Sequence, residues 1–148
     1  MTTNKNEAKI RGSVRSRRSD VFRALDRASD QRVRFVLEQI QGHNDVPRKI
    51  RIDALAKAVH LSTSRLRHLF GKQIGVPIGR YIKLLQLQKA RELLENSFLE
   101  VKEVAARVGV NDLSHFIRDY KKIYRETPSR TRTNSDKRPA HSTVQKVA

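Results

Sequence analysis

The sequence predicts an all-α fold in which two similar helical units flank one long helix, and three observations carry that prediction. Apolar residues recur at spacings of three and four through the middle of the chain, and nowhere is a period of two sustained. One arrangement of residues occurs twice, some 50 positions apart. Between the copies, the 19 residues from Pro77 to Glu95 read as a single uninterrupted helix.

The elements follow in order. Asp20 to Ala28 suits a short amphipathic helix built on Val21, Phe22 and Leu25. Asp30 is a suitable N-cap for a second helix, with Val33, Val36, Leu37 and Ile40 on one face and Gly42 at its end. Asp53 is expected to cap the third, which buries Leu55, Ala56 and Val59. Ser62 caps the next and turns Leu66, Leu69 and Phe70 inward. Pro77 fits the start of the long helix, because its missing N–H would have no partner there anyway. That helix, 77–95, is expected to bury Ile78, Tyr81, Leu85, Ala90, Leu93 and Leu94. A short helix over Val101 to Val108, a longer one from Asp112 to about Ile123 and a final turn after Pro128 complete about seven helices, with the short N-terminal one in addition.

Composition separates three regions. Residues 1–19 hold six Lys or Arg, one acid and few apolar groups, which is expected to leave a disordered basic arm. The last residues, 133–148, are expected to form a disordered basic tail of similar character. The folded segment between them, 20–132, is itself net basic. Over the whole chain of 148 residues, 32 Lys and Arg against 15 Asp and Glu give +17, so a polyanion or an anionic surface is the expected partner. There is no Cys, which excludes disulfides and Cys-based metal sites and suits a reducing cytoplasm. No secretory h-region and no apolar run of about 20 residues is present, so a cytoplasmic protein without a membrane span is expected.

The internal repeat gives the units their identity. Residues 55–70 read LAKAVHLSTSRLRHLF, and residues 104–120 read VAARVGVNDLSHFIRDY. Leu55, Ala56 and Leu61 match Val104, Ala105 and Val110 at a spacing of 49; after the turn Leu66 matches Phe116 and Phe70 matches Tyr120 at a spacing of 50. Each copy has the parts of a helix-turn-helix. An Ala lets the second helix cross closely, a residue able to take positive φ (His60, Gly109) makes the turn, and an apolar residue (Leu61, Val110) plugs the angle. A polar N-cap then opens the second helix: Ser62 in one copy, Asn111 or Asp112 in the other. The units are expected at about 53–72 and 101–123.

Their second helices leave polar faces. Ser64, Arg65, Arg67, His68 and Lys72 face outward in the first copy, and Leu113, Ser114, Ile117, Arg118, Lys121 and Lys122 in the second. Arg forks onto guanine O6 and N7, Ser and His pair with either base, and Leu or Ile meets a thymine methyl. Both helix N-termini, at Ser62 and Asn111, also offer N–H groups to phosphate. Backbone contact is expected from Ser62, Arg65, Lys72, Asn111, Lys121 and Lys122. The linker's 19 residues span about 28 Å, against the ~34 Å between successive major grooves on one duplex face. One chain can therefore reach both grooves as a monomer.

Over about Ile52 to Arg132 the chain resembles the DNA-binding domain of the AraC/XylS family of bacterial transcription regulators. The resemblance runs through LAKAVHLSTSRLRHLFGKQIGVPIGRYIKLLQLQKARELLENS and VKEVAARVGVNDLSHFIRDYKKIYRETPSR and is most specific at its end, in Thr127–Pro128. It implies seven helices in two subdomains and a role in activating or repressing promoters, with contact to RNA polymerase left open. It also implies base contact by Ser64, Arg67 and His68 in one groove and by Leu113, Ser114, Ile117 and Arg118 in the other. The chain departs from the family pattern at Gln86, where Arg is usual, at Val110, where Phe is usual, and at Arg125, where Gly is common. Only about 50 residues precede the match, which leaves no room for a β-barrel sensor and implies the short, sensor-free type.

Rival classes fare worse. His43, His60, His68, His115 and His141 show no ligand spacing with Asp or Glu, and no phosphate loop or H-E-x-x-H pattern occurs, so neither an enzyme nor a metal or cofactor is expected. Single-stranded RNA recognition would need an exposed aromatic platform. The alternative that keeps the charge but discards the two faces is a sequence-indifferent, nucleoid-type DNA-packing protein, bound through phosphates alone.

Overall fold

The computed structural model describes residues 23–42 and 50–136, and the expected basic arm at 1–19, the residues Val21 and Phe22 and the chain beyond 136 lie outside them. The described residues form eight helices and no strand: α1 (Ala24–Arg27), α2 (Gln31–Gly42), α3 (Ile52–Ala58), α4 (Thr63–Ile74), α5 (Ile78–Asn96), α6 (Val101–Arg107), α7 (Leu113–Tyr124) and α8 (Pro128–Asp136). The short helix expected over 20–28 is a single turn within the described residues.

Two separate hydrophobic clusters organise these helices. The first gathers Val33, Val36, Leu37 and Ile40 from α2, Leu66, Phe70 and Ile74 from α4, and Ile78, Tyr81 and Ile82 from the start of α5. The second gathers Leu87, Ala90 and Leu94 from the rest of α5, Val104 and Ala105 from α6, and Phe116 and Tyr120 from α7. Both contain an aromatic contact: Phe70 meets Tyr81 edge-on at 5.5 Å, and Phe116 and Tyr120 lie 5.8 Å apart.

The linker helix serves both clusters from different sides. At about 100° per residue, Ile78, Tyr81 and Ile82 form one stripe, whereas Leu87, Ala90 and Leu94 form another on nearly the opposite side. The single buried face expected from the sequence is corrected accordingly. Leu85 and Leu93 are only half-buried, while Ile82 and Leu87, which that face omitted, are buried. Two partners on two sides require two stripes.

The turns repeat in atomic detail. Leu61 N donates to Ala56 O at 2.9 Å, and Val110 N donates to Ala105 O at 2.9 Å. His60 (φ 56) and Gly109 (φ 81) both take the left-handed conformation. Ala56 and Ala105 are buried where the helices cross. The extra residue in the second copy is Asn111, which lengthens the turn; Asp112 is the N-cap, accepting from His115 N at 2.9 Å. Ser62 caps α4 as expected, accepting from Arg65 N at 3.2 Å.

Three helix ends differ from the sequence reading. Asp53 does not cap α3: Arg51 holds that place, and Asp53 sits in the first turn, paired with Arg51 at 2.7 Å, where its charge favours the helix N-terminus. Pro77 is the N-cap of α5 rather than its first residue. The expected turn after Pro128 is a nine-residue helix running to Asp136. Thr131 explains the extension: buried on α8, it links the Tyr120 hydroxyl and the Glu126 carboxylate, each at 2.9 Å. Burial pushes the Tyr120 hydroxyl up to about 12.

The repeat continues past the second helices. Gly75 (φ 79) ends α4 and Arg125 (φ 62) ends α7, each with its N–H bonded four residues back at 2.9 Å. A left-handed L-residue costs about 1–2 kcal/mol, of which part is returned by the lower flexibility of the unfolded chain relative to glycine. Arg125→Gly is therefore expected to stabilise the second unit by roughly 0.5–1 kcal/mol, seen as a melting point a few degrees higher. An unchanged or lower midpoint would show that the Arg125 side chain makes up for its backbone.

Candidate nucleic-acid interface

The fold turns one face of α4 and one face of α7 outward. On α4, Leu66, Phe70 and Ile74 take the inward face, leaving Ser64, Arg65, Arg67, His68 and Lys72 exposed. On α7, Phe116 and Tyr120 take the inward face, and Ser114, Arg118, Lys121 and Lys122 are exposed. Leu113 is 38% exposed at the tip of α7. Ile117 is half-buried against the second cluster, so packing claims part of a side chain that the sequence reading places among the outward residues. Ser62 and Asn111 stand exposed at the openings of α4 and α7.

The charges on these faces are uncommitted. Arg65, Arg67, Lys72, Arg118, Lys121 and Lys122 form no ion pair with any other described residue. The acids elsewhere are largely engaged: Asp53 with Arg51, Glu95 and Glu126 with Arg91, and Asp119 with Lys83. Arg91 also lies 4.7 Å over the Tyr124 ring, on the side of α5 that holds the second unit. Cations that lack a carboxylate within the protein keep their attraction for an external anion.

One acid does sit at the mouth of the second face. Asp112 accepts from the His115 N–H, and its other oxygen lies 2.7 Å from His115 Nδ1. The backbone hydrogen bond, followed by the side-chain one, holds the Asp112 carboxyl below the usual range. The sequence reading takes His115 as a surface or contact residue beside the DNA-facing helix and assigns it no partner. Its signal was the capping distance of three residues between Asp112 and His115.

Among the described residues no group of three or more His, Asp or Glu side chains could hold a metal ion, and no helix is long and apolar enough to cross a membrane.

Two caps, two left-handed turns and two outward basic helices on one linker define a tandem helix-turn-helix domain of the DNA-binding class. The family model described as a helix-turn-helix domain matches residues 55–134. The chain belongs to the AraC/XylS-type family of helix-turn-helix DNA-binding transcription regulators. It is 32% identical over 119 residues to the xylose operon regulatory protein of Escherichia coli K12, a match covering 80% of this chain and 29% of that protein. The transcriptional activator RhaS of Escherichia coli O139:H28 is 31% identical over 108 residues, covering 73% of this chain and 38% of the relative. The chain thus spans about a third of the length of these curated relatives. Among solved structures, a probable AraC family transcriptional regulator from Rhodopseudomonas palustris superposes with a TM-score of 0.65 at 29% identity, covering 74% of this chain and all of that one (100%). These relatives are transcription regulators.

Proposed function

We propose that this chain recognises a promoter by laying α4 and α7 into successive major grooves on one face of the duplex. The observation that carries the reading is the pair of outward helices whose six cations have no partner within the described protein. The 19 residues of α5, about 28 Å long, join the two units over a length near one helical turn of DNA. Ser64, Arg67 and His68 read bases in one groove; Leu113, Ser114, Ile117 and Arg118 read the other. Ser62, Arg65, Lys72, Asn111, Lys121 and Lys122 hold phosphates. One chain fills both grooves, so it binds as a monomer, in the cytoplasm where the duplex lies, and activates or represses according to where the site falls relative to RNA polymerase. The capped N-termini of α4 and α7 direct backbone N–H groups toward the same phosphates.

The test is selection of random duplexes by the purified protein at near-physiological salt with excess competitor. Two short enriched blocks about one helical turn apart are expected. Salt-steep binding with no enriched sequence would replace this reading with the DNA-packing one, in which phosphate contacts alone hold the protein.

A further inference from the structure

The buried apolar packing of α5 against the second unit begins at Leu87, past the first half of the helix. The α5 stripe that faces the second unit is Leu87, Ala90 and Leu94. Followed toward the N-terminus at about 100° per residue, that same stripe continues as Lys83, which is charged, and Gly79, which has no side chain to pack. Gly79 is exposed, and a Cβ built on it would meet nothing within 4 Å. Open clefts flank this stretch, one of about 380 Å³ and one of about 470 Å³, and Gly79, Lys83, Leu87 and Asp119 line both. An ion pair crosses the gap: Lys83 Nζ on α5 lies 2.8 Å from Asp119 Oδ2 on α7, with the lysine side chain 56% and the aspartate 24% exposed.

We infer that the Lys83–Asp119 pair is a strut that sets the pitch of α7 against the linker helix, and with it the spacing of half-sites the protein accepts. The inference rests on the two-groove reading above. Lys83 and Asp119 are positioning residues, since neither lies on the outward face of α4 or α7 assigned to bases. The clefts on either side leave α7 room to tilt. The strut opposes that tilt one helical turn before the buried stripe that starts at Leu87. A half-exposed ion pair contributes modestly to stability, yet a modest restraint suffices here, because one base pair of added spacing both lengthens and rotates the second half-site.

Two measurements test this, one with DNA and one without. On duplexes carrying the selected blocks, the unmodified chain is expected to bind the preferred spacing about tenfold more tightly than spacings one base pair longer or shorter. Lys83→Met and Asp119→Asn each reduce that preference to about threefold, and the swapped pair Lys83→Glu with Asp119→Lys restores it. An equal loss of affinity at every spacing would mark Lys83 as a phosphate contact and overturn the strut, as would an unaltered preference. Because the sequence has no Cys, spin labels can be placed cleanly at Lys57→Cys on α3 and Ser114→Cys on α7 in the DNA-free protein. Asp119→Asn is expected to broaden the label–label distance distribution, and the swapped pair to narrow it again. A distribution unmoved by Asp119→Asn would overturn the strut on its own. If the distribution broadens but no two-block site is ever selected, the two-groove reading falls and the strut stands as a property of the fold.

Discussion

Phe116→Ala is expected to cost roughly 3–5 kcal/mol and to unfold the second unit before the first. Phe116 is 1% exposed, at the centre of a cluster whose other large side chains are Leu87, Leu94, Val104 and Tyr120. The ring stacks obliquely on Tyr120, which in turn holds Thr131 and so anchors α8. Its removal leaves a cavity next to Tyr120, whose hydroxyl ties α7 to α8 through Thr131. The first cluster shares no side chain with the second, so α2, α3 and α4 keep their packing. Hydrogen exchange should show the amides of α6 to α8 losing protection while those of α2 to α4 retain theirs, and melting should divide into two steps. On DNA, protection should shrink to the block read by α4. A single transition shifted as a whole would show instead that α5 couples the clusters into one cooperative unit. Phe98→Ala is the matched control, because Phe98 is 95% exposed and its loss should change stability by less than about 0.5 kcal/mol.

The parts that were legible in the sequence are those where one residue type answers one local demand. Gly109 and His60 were readable as left-handed turn residues because Ala56 and Ala105 stood at a fixed distance before them. The inward face of α2 was readable because that helix packs on one side only, with Val33, Val36, Leu37 and Ile40 in a single stripe. The family resemblance was legible for the same reason, since it runs through those turns. The linker defeated the same method. Its two stripes average to a helix apolar over most of its circumference, so periodicity alone could not sort Ile82 and Leu87 from Leu85 and Leu93. Asp53 looked like a cap because Asp often is one, but the extended backbone of Arg51 makes that residue the cap, and Asp53 pairs with it from the first turn. Lys83 and Asp119 carried no signal at all. They lie 36 positions apart, and each alone reads as an ordinary charge on a helix surface.

Arg67→Ala is expected to weaken binding to the preferred duplex by about 1–3 kcal/mol, roughly ten- to a hundredfold, and to remove selectivity at one base pair. Arg67 is exposed near the middle of α4, one helical turn past the capped end, and it has no ion-pair partner among the described residues. No ion pair with a described residue has to be broken for its guanidinium to fork onto a guanine, and the buried face of α4 is held by Leu66, Phe70 and Ile74. The substitution should therefore leave the melting point unchanged while altering affinity, which separates recognition from folding. Lys72→Ala supplies the contrast. Its ammonium is a point charge on the last turn of α4, so its loss should lower affinity alike for every duplex and reduce the salt slope by about one. Affinities measured at constant salt against duplexes changed one base pair at a time distinguish the two. A loss confined to the variant–duplex pairings at one position assigns Arg67 to a base. A uniform loss moves it to the backbone, and the burden of specificity in that groove then passes to Ser64 and His68, the remaining outward side chains of α4 able to meet a base edge.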